Sequence, residues 1–295
     1  MVRSKTVGER IMDGVIVAIL CLVTLLCVAP ILNTLALSLS SAPAAATGTV
    51  TFWPKDFSLF SYQTLLGDHK FFNAFWISIQ RVVLGGGLNF ILTILMAYPL
   101  SKETSAFRSR NIYMWLLVFA MLFNGGMIPW YMVVRATGII DTIWALVLPV
   151  AVPIFNVILL MNYFRSVPKA IEEAGTLDGA GPWTMLFRIY LPISIPALAT
   201  ITLFSIVNHW NTFFDGMMLI NSPDKFPLQT YIQQLVVDVT KKSMMSIEEI
   251  KRLSSISNTT LNAAKIFVSI IPILLVYPIL QRYFITGIVM GSVKE

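Results

Sequence analysis

The chain has 295 residues, of which 56% are hydrophobic and only 12% are charged, and its mean hydropathy is +0.76. Soluble domains carry about 25% charged residues, so this composition excludes an ordinary soluble protein and indicates an integral membrane protein. The net charge of +6 does not require a nucleic-acid partner, because the inner loops of membrane proteins are rich in lysine and arginine.

Six apolar stretches are long enough to cross a bilayer, which takes about 20 apolar residues in a helix. We predict spans at about 15–39, 72–98, 112–134, 143–163, 193–214 and 261–284. The first stretch is too long for the core of a cleaved signal peptide, so we expect it to remain as a span. The sequence therefore predicts an all-α membrane protein with one transmembrane domain over residues 1–295.

Glycines and prolines interrupt several of these spans. Gly85-Gly86-Gly87 lies inside the second span, and we expect close helix packing there rather than a flexible point. Asn124-Gly125-Gly126 breaks the third span, and Pro149 and Pro153 lie within the fourth. Such breaks are tolerated at membrane depth only where they are buried in protein or line a cavity.

An even number of spans places both ends of the chain on the same side of the membrane. The short basic loops 101–110 and 166–192 and the tail 285–295 alternate with two long segments, 40–70 and 215–258. Because short inner loops are enriched in lysine and arginine, we predict that the basic loops and both termini are cytoplasmic. The two long segments are then outside.

The loop between the fourth and fifth spans is predicted to form a helix, a turn and a second helix. Ser166 can cap the first helix, and Pro168 suits its first turn. Asp178-Gly179 is a turn signal, because glycine readily adopts a positive φ. Pro182 restarts a helix, and Leu191-Pro192 ends or kinks it.

The first of these two helices is predicted to be amphipathic. By helical spacing, one face carries four apolar residues, namely Ala170, Ile171, Ala174 and Leu177. The charged residues lie elsewhere on the helix: Lys169, Glu172 and Glu173. We therefore expect a small amphipathic helix between two spans that packs against something else.

The same loop contains a spaced pattern of residues, namely Glu173-Ala174-Gly175, Asp178-Gly179-Ala180, Phe187, Ile189, Pro192 and Pro196. This pattern resembles the EAA loop of ABC importer permeases, which forms a cytoplasmic coupling helix that docks on the ATP-hydrolysing subunit. The resemblance implies that seven residues couple the chain to that subunit: Glu172, Glu173, Ala174, Gly175, Asp178, Gly179 and Ala180. Gly175 replaces the usual second alanine, and the loss of about 1 kcal/mol of helix propensity predicts a softer helix.

Four further stretches carry a wider resemblance: 123–129, 138–142, 227–229 and 287–294. They resemble one branch of the carbohydrate-uptake, maltose-permease-like permeases. That branch is similar to the second permease of importers for complex oligosaccharides such as alginate or pectin fragments. The resemblance implies a type I ABC importer permease fold with six transmembrane helices, and a coupling helix between the fourth and fifth spans.

The resemblance also implies partners and a location. We expect a homologous second permease, two ATPase subunits that hold ATP and Mg, and an extracytoplasmic solute-binding protein, all at a bacterial cytoplasmic (inner) membrane. The chain itself is expected to be no enzyme and to hold no cofactor. Its sequence contains no Walker A pattern and no His, Cys and carboxylate cluster of the kind that binds a metal.

Polar residues at membrane depth are the candidates for a substrate path. Arg81 and Lys265 lie within apolar runs, and their charges favour an acidic oligosaccharide. The alternative for Arg81 is that it snorkels to the outer interface. Four polar and aromatic residues near the end of the fifth span offer hydrogen bonds and stacking faces to a sugar, with an interfacial aromatic belt as the alternative: Asn208, Trp210, Asn211 and Phe213. Trp210, Asn211 and Phe213 also resemble the Trp-Asn-x-Phe pattern of sugar-importer permeases.

Three other functions stay open from the sequence. The nearest is an ABC permease for a solute that is not a sugar, and only a substrate assay separates it. The second is an ion-coupled secondary transporter, against which the lack of an inverted repeat argues. The third is a membrane scaffold with no transport of its own.

Overall fold

A computed structural model gives the fold and describes residues 7–242 and 259–292. Within these residues the chain is helical and contains no strand. The α-helices, numbered in chain order, are α1 Val7–Ser38, α2 Ala42–Ala46, α3 Phe60–Leu66, α4 His69–Ser101, α5 Arg110–Leu122, α6 Met127–Ala136, α7 Ile143–Val147, α8 Ile154–Ser166, α9 Lys169–Leu177, α10 Pro182–Thr184, α11 Leu191–Ile193, α12 Ile195–Asn211, α13 Phe214–Leu219, α14 Leu228–Lys242 and α15 Thr259–Ser292. A π-helix, Met185–Tyr190, joins α10 to α11, and short 3-10 helices cover Leu148–Val150 and Pro223–Lys225.

Three of the described helices, α1, α4 and α15, are long and apolar enough to cross a membrane. Three bent pairs pass the same test if each pair is one span: α5 with α6, α7 with α8, and the 182–193 segment with α12. The all-α prediction is therefore confirmed, with three to six candidate spans at the predicted places. Part of the predicted outer segment, 243–258, and residues 293–295 of the tail lie outside the described residues.

The bends occur where the sequence predicted breaks. The chain turns by 117° between α5 and α6, at Asn124-Gly125-Gly126, and Gly126 has a φ of +88°. The bend between α7 and α8 is 45°, and Pro153 immediately precedes α8. The bend between the 182–193 segment and α12 is 83°, and it lies at Ser194, two residues beyond Pro192. Local glycine and proline chemistry therefore decides where these helices are interrupted.

The predicted role of Ser166 as a helix cap is wrong. Ser166 is the last residue of α8, and its hydroxyl donates to the carbonyl of Tyr163 at 2.7 Å. Val167 and Pro168 then adopt extended backbone, so that Pro168 is the residue before α9 rather than part of its first turn. A serine still held in one helix is not in the extended conformation that capping the next helix requires.

The chain divides into two compact units, of which the first comprises residues 1–69 and 234–270. In this unit the end of α1 packs on the following segment through Ala36, Ala44 and Val50. The Ser38 hydroxyl and the Tyr62 hydroxyl are hydrogen-bonded at 2.8 Å. These contacts hold the start of the predicted outer segment 40–70 against α1.

The second unit comprises residues 70–233 and 271–295. Its main core joins α4, α5, α8, the π-helix and α12 through the following buried side chains: Ile94, Ala97, Leu100, Leu117, Val157, Leu160, Met161, Phe164, Leu186, Tyr190, Ala197 and Ile201. Burial of this apolar surface holds the helices around the loop in place.

Gly85 allows α4 to approach α12 closely, as expected for the glycine run. A Cβ atom at Gly85 would lie only 2.4 Å from Cε1 of His209, whose side chain is fully buried. The His209 Nε2 atom also lies 3.2 Å from the side-chain amide of Asn89. Gly86 and Gly87 have open space at the corresponding position. The packing prediction for this run therefore holds at one glycine of the three.

We predict that Gly85→Ala destabilises the protein by about 1–3 kcal/mol, because the methyl group would overlap a buried imidazole ring that has little room to move. Gly86→Ala is the matched control and should leave the stability unchanged or raise it by up to about 1 kcal/mol. Thermal unfolding of both variants in detergent measures the difference. Equal midpoints for the two variants would contradict the packing argument.

Candidate functional site

The turn after α9 is built by the residues that the sequence singled out. The Ala180 N–H donates to the Gly175 carbonyl at 2.9 Å, and the Gly179 N–H donates to the Thr176 carbonyl at 3.0 Å. Gly179 has a φ of +73°. This is the Schellman arrangement, in which glycine takes the left-handed position just beyond the helix end. The turn predicted at Asp178-Gly179 is confirmed.

Only one of the four residues on the predicted apolar face of α9 packs on its own chain, which leaves the other three available to something else. Gly175 is buried and Ile171 is half-buried, whereas Ala170, Ala174 and Leu177 are exposed. The reason is the π-helix that passes across α9, because a Cβ atom at Gly175 would lie 2.8 Å from Cε of Met185. Gly175, which replaces the usual alanine, therefore allows the π-helix to approach α9 closely.

A patch of large apolar side chains is left exposed beside this turn. Leu177 is 89% exposed, and Trp183 and Phe187 are 64% and 55% exposed. The two aromatic rings stack on each other with centroids 5.9 Å apart. Exposed apolar side chains that lie together commonly mark an interaction surface.

Glu172 turns toward its own chain, although the resemblance implied that it couples to another subunit. Its Oε1 accepts from Lys102 Nζ at 2.8 Å, and its Oε2 accepts from the Tyr190 hydroxyl at 2.8 Å. Lys102 Nζ also donates to the Tyr190 hydroxyl at 3.1 Å and lies over the rings of Tyr98 and Tyr190. Partial burial alone would raise the pKa of Glu172, but the bonds from Lys102 and Tyr190 outweigh it and lower this pKa.

A second ion pair, between Lys169 and Glu103, joins the same two segments at the surface. Its hydrogen bond lowers the pKa of Glu103 and raises the pKa of Lys169. Glu173, next to Glu172 in the sequence, is exposed. A cleft of about 1220 Å³ lies between α9 and the 101–106 segment, and Glu172, Glu173 and Leu177 all belong to its lining. Glu173 is therefore accessible to a partner, whereas Glu172 is engaged within the chain.

Arg81 is buried in an ion pair that neither interpretation of the sequence anticipated. Its guanidinium binds both carboxylate oxygens of Asp215 and donates to the carbonyl of Thr212 at 3.0 Å. Only 1% of its side chain is exposed. In the first unit, Lys265 is likewise paired with Asp68, and its side chain is 6% exposed. Both predicted substrate cations therefore have an acidic partner within the chain.

The residues that close the fifth predicted span lie in two environments. Trp210 is buried and packs edge-on against Phe75, with ring centroids 5.5 Å apart. Asn208 and Asn211 are exposed, and Phe213 is partly so. Of these four predicted path residues, Trp210 is a packing residue in this structure, and the other three face outward.

A cavity of about 360 Å³ between α8 and α12 contains residues that the sequence did not single out. Its lining, which also includes the predicted path residue Asn208, combines polar side chains with mostly apolar surface: Asn89, Pro153, Phe155, Asn156, Phe204, Ser205 and Asn208. Asn156 donates to the Ser205 hydroxyl at 3.2 Å. Phe204 could have been found from helical spacing, since it precedes Asn208 by four residues. Asn89 and Asn156 could not, because they come from other helices.

Asp141 belongs to the stretch 138–142, which carried part of the wider resemblance, and it has a structural role. It has a φ of +61°, and its Oδ1 accepts from the N–H groups of Asn221 and Ser222 at 3.0 and 2.9 Å. Lys225 Nζ donates to its Oδ2 at 2.7 Å. The bonds from Lys225 and Ser222 hold the pKa of Asp141 well below its usual range. This carboxylate ties the segment before α7 to the segment before α14.

The whole chain is similar to known permeases. It is 36% identical over 286 residues to the polygalacturonan/rhamnogalacturonan transport system permease protein YtcP of Bacillus subtilis, covering 97% of this chain and 99% of the relative. It is 35% identical over 292 residues to protein LplC of the same organism, covering 98% and 97%. A chain of a solved bacterial ABC transporter involved in the import of the acidic polysaccharide alginate matches with a TM-score of 0.84 and 34% identity, covering 95% and 99%. No protein-family model matches the chain.

We predict that removing one partner of the Arg81–Asp215 pair destabilises the protein more than removing both. Arg81→Met leaves a buried carboxylate without its cation, which should cost about 3–5 kcal/mol, whereas Arg81→Met combined with Asp215→Leu should cost much less. Thermal unfolding in detergent compares the variants. Lys225→Met, which removes a half-exposed cation, is the control and should cost much less than Arg81→Met, because solvent screens an exposed ion pair. A double variant as unstable as the single one would contradict this account.

Proposed function

The chain belongs to the sugar-permease family of ABC importers, and we propose that it forms half of the translocation path of a binding-protein-dependent importer for an oligosaccharide. Acidic oligosaccharides are the proposed class. The support is that one relative is named for polygalacturonan and rhamnogalacturonan, and that the similar solved transporter imports alginate. Arg81 and Lys265 do not support this class, since both are paired with carboxylates of the chain.

The exposed side of α9 is the observation that carries this proposal. A nine-residue helix that exposes Ala174 and Leu177, while its other side is held on the chain, is shaped to be covered by a partner. Glu173 lies beside these residues and can accept charge-assisted hydrogen bonds from a cationic partner. The helix and its turn match the EAA loop, so α9 is the proposed coupling helix.

The proposed assembly contains this chain, a homologous second permease, two ATPase subunits and an extracytoplasmic solute-binding protein. ATP and Mg bind on the ATPase subunits, which supply the energy of hydrolysis. ATP binding closes the ATPase pair, and α9 transmits that movement to the spans. The path then opens outward, takes the sugar from the binding protein and releases it inside after hydrolysis.

The proposed location is the bacterial cytoplasmic membrane, with six spans and both termini in the cytoplasm. Counting each bent helix pair as one span gives six. The loop at 101–110 and the loop at 166–192 then lie on the same side of the membrane, and this placement is supported by the contacts between them, including Lys102 with Glu172. It is also the side on which an ATPase subunit can reach α9.

The outward face of α12 is the proposed wall of the path. Asn208 and Asn211 expose amides near the end of a hydrophobic helix, where contact with lipid would be costly. Phe204 lies on the same face and is near Phe155 of α8, with ring centroids 6.1 Å apart. Amides beside aromatic faces suit the hydroxyl groups and flat apolar faces of a sugar ring.

The proposal is tested by purifying the chain from native membranes in mild detergent and identifying its stoichiometric partners. We expect one related permease, two ATPase copies, and ATP hydrolysis stimulated by a loaded binding protein. The ligand of that binding protein also separates a sugar from another solute. A self-paired chain without ATPase activity in several detergents, or uptake abolished by an ionophore but indifferent to ATP, would contradict the proposal.

We predict that Glu173→Ala and Gly179→Pro each abolish uptake while the protein still reaches the membrane. The first removes the exposed carboxylate, and the second is incompatible with a φ of +73° and with the N–H donated to Thr176. Uptake of labelled oligogalacturonate and immunoblots of membranes measure the two effects. Gly181→Ala is the control, because Gly181 has an ordinary φ and open space at the Cβ position. Normal uptake by both test variants would exclude the coupling role.

We also predict that Asn208→Ala and Asn211→Ala raise the KM for uptake roughly two- to tenfold each, since one hydrogen bond is worth about 0.5–1.5 kcal/mol. Initial uptake rates over a range of substrate concentrations give this value. Asn111→Ala makes the same chemical change at an exposed position at the start of α5 and should have no effect. Unchanged KM in both test variants would favour a scaffold or an aromatic belt over a path.

A further inference from the structure

Lys102, Glu172 and Tyr190 form a closed triangle of hydrogen bonds that joins three segments of the chain. Lys102 directly follows α4, Glu172 belongs to α9, and Tyr190 ends the π-helix that leads to α12. The three contacts measure 2.8, 2.8 and 3.1 Å. The Lys102 ammonium also lies 4.2 Å from the ring centroid of Tyr190 and 4.6 Å from that of Tyr98. Every polar group in the triangle is therefore used.

The triangle is fixed on its inner side by packed aromatic rings. Tyr190 is 3% exposed and lies in the main core of the second unit. Its ring meets Tyr98 and Phe164 edge-on, with centroids 5.3 and 5.5 Å apart. Direct contacts therefore connect Glu172 to α4, to α8 and to the π-helix, through rings that are closely packed and resist small displacements.

The two adjacent glutamates of α9 border the same cleft but differ in the groups to which they are bonded. Glu173 is exposed beside Ala174, whereas Glu172 is bonded to groups of its own chain. A residue that contacts the ATPase subunit must be accessible to it, and one that passes the movement on must be held by the spans. The chain contains one carboxylate of each kind, next to each other in the sequence.

We propose that Glu172 is a positioning residue that fastens the coupling helix to the ends of the second and fifth spans through Lys102 and Tyr190. This inference rests on the proposed function and assigns within it a task that differs from that of Glu173. Movement imposed on α9 by the ATPase subunit passes through the triangle to α4 and to the π-helix. Without the triangle, α9 keeps its packing against the π-helix at Gly175 but loses its hydrogen bonds to Lys102 and Tyr190, and ATP hydrolysis is less tightly connected to transport.

The exposed pair Lys169–Glu103 provides a matched comparison. It joins α9 to the same segment after α4, but its side chains are 78% and 65% exposed, against 15% and 40% for Lys102 and Glu172. Ion pairs in water contribute little, because solvent screens them and long side chains lose entropy in forming them. Breaking this pair should therefore leave the transmission of movement intact.

The test uses the complete complex in proteoliposomes, with labelled oligogalacturonate as the probe and its binding protein present. The measured quantity is the amount of solute transported per ATP hydrolysed. Glu172→Ala should lower this ratio roughly tenfold, as expected for the loss of a charge-assisted hydrogen bond, while hydrolysis itself continues. Glu103→Gln should keep the ratio of the unmodified complex. An unchanged ratio in Glu172→Ala would overturn the proposal.

A distance measurement separates positioning from a general loss of structure. Spin labels at Thr104 and Thr176 report on the 101–106 segment and on α9, after the exposed Cys21 and Cys27 are replaced by alanine. In the unmodified complex the distance between the labels should not change when ATP binds, because the two segments move together. In Glu172→Ala it should change, and in Glu103→Gln it should not. A constant distance in Glu172→Ala would overturn the proposal.

Two milder variants keep the test decisive if Glu172→Ala does not assemble. Tyr190→Phe removes one side of the triangle and keeps the buried ring, and Glu172→Gln removes only the charge. Each should lower the transport ratio less than Glu172→Ala does, and normal ratios in both would overturn the proposal. Failure of the proposed function is a different outcome: the unmodified complex would then neither bind an ATPase subunit nor import the probe.

Discussion

The buried ion pair between Arg81 and Asp215 is the contact on which the arrangement of the second unit most depends. A charge removed from water at membrane depth is stable only with an opposite charge and further hydrogen bonds. Arg81 obtains both beyond the end of α12, from Asp215 and from the carbonyl of Thr212. The pair thus ties α4 to the segment that directly follows α12, next to the exposed amides of Asn208 and Asn211.

In the loops 101–110 and 166–192, charged groups are also paired within the chain, but they are less deeply buried than Arg81. Lys102 and Glu172 are only partly exposed, and each is bonded to the other and to Tyr190. Two glycines also allow a side chain to approach the backbone closely: Gly175 leaves room for Met185, and Gly85 leaves room for His209. Charge pairing and small residues together allow the helices to approach each other closely at these points.

The surfaces proposed to meet a partner or a solute are the parts of these elements that internal pairing does not use. Glu173 and Leu177 stay accessible because Glu172 and Gly175 make the contacts to the chain. On α12, Trp210 packs inward, and Asn211 is left outward. Adjacent residues thus divide into one that positions the helix and one that is available to a partner or a solute. This division follows from the helical period, which points neighbouring residues about 100° apart.

Hydropathy, the placement of glycine and proline, and turn chemistry are local properties. With them the sequence by itself determined the helical class, the candidate spans, the breaks at 124–126 and near Pro192, and the turn at Asp178-Gly179. It also indicated the family through the loop motif. Only the tertiary structure decided which face of α9 is covered and which acidic group neutralises each buried cation. The physical reason is that these choices join residues far apart in the chain, 134 positions for Arg81 with Asp215 and 70 for Lys102 with Glu172, and depend on how whole helices pack.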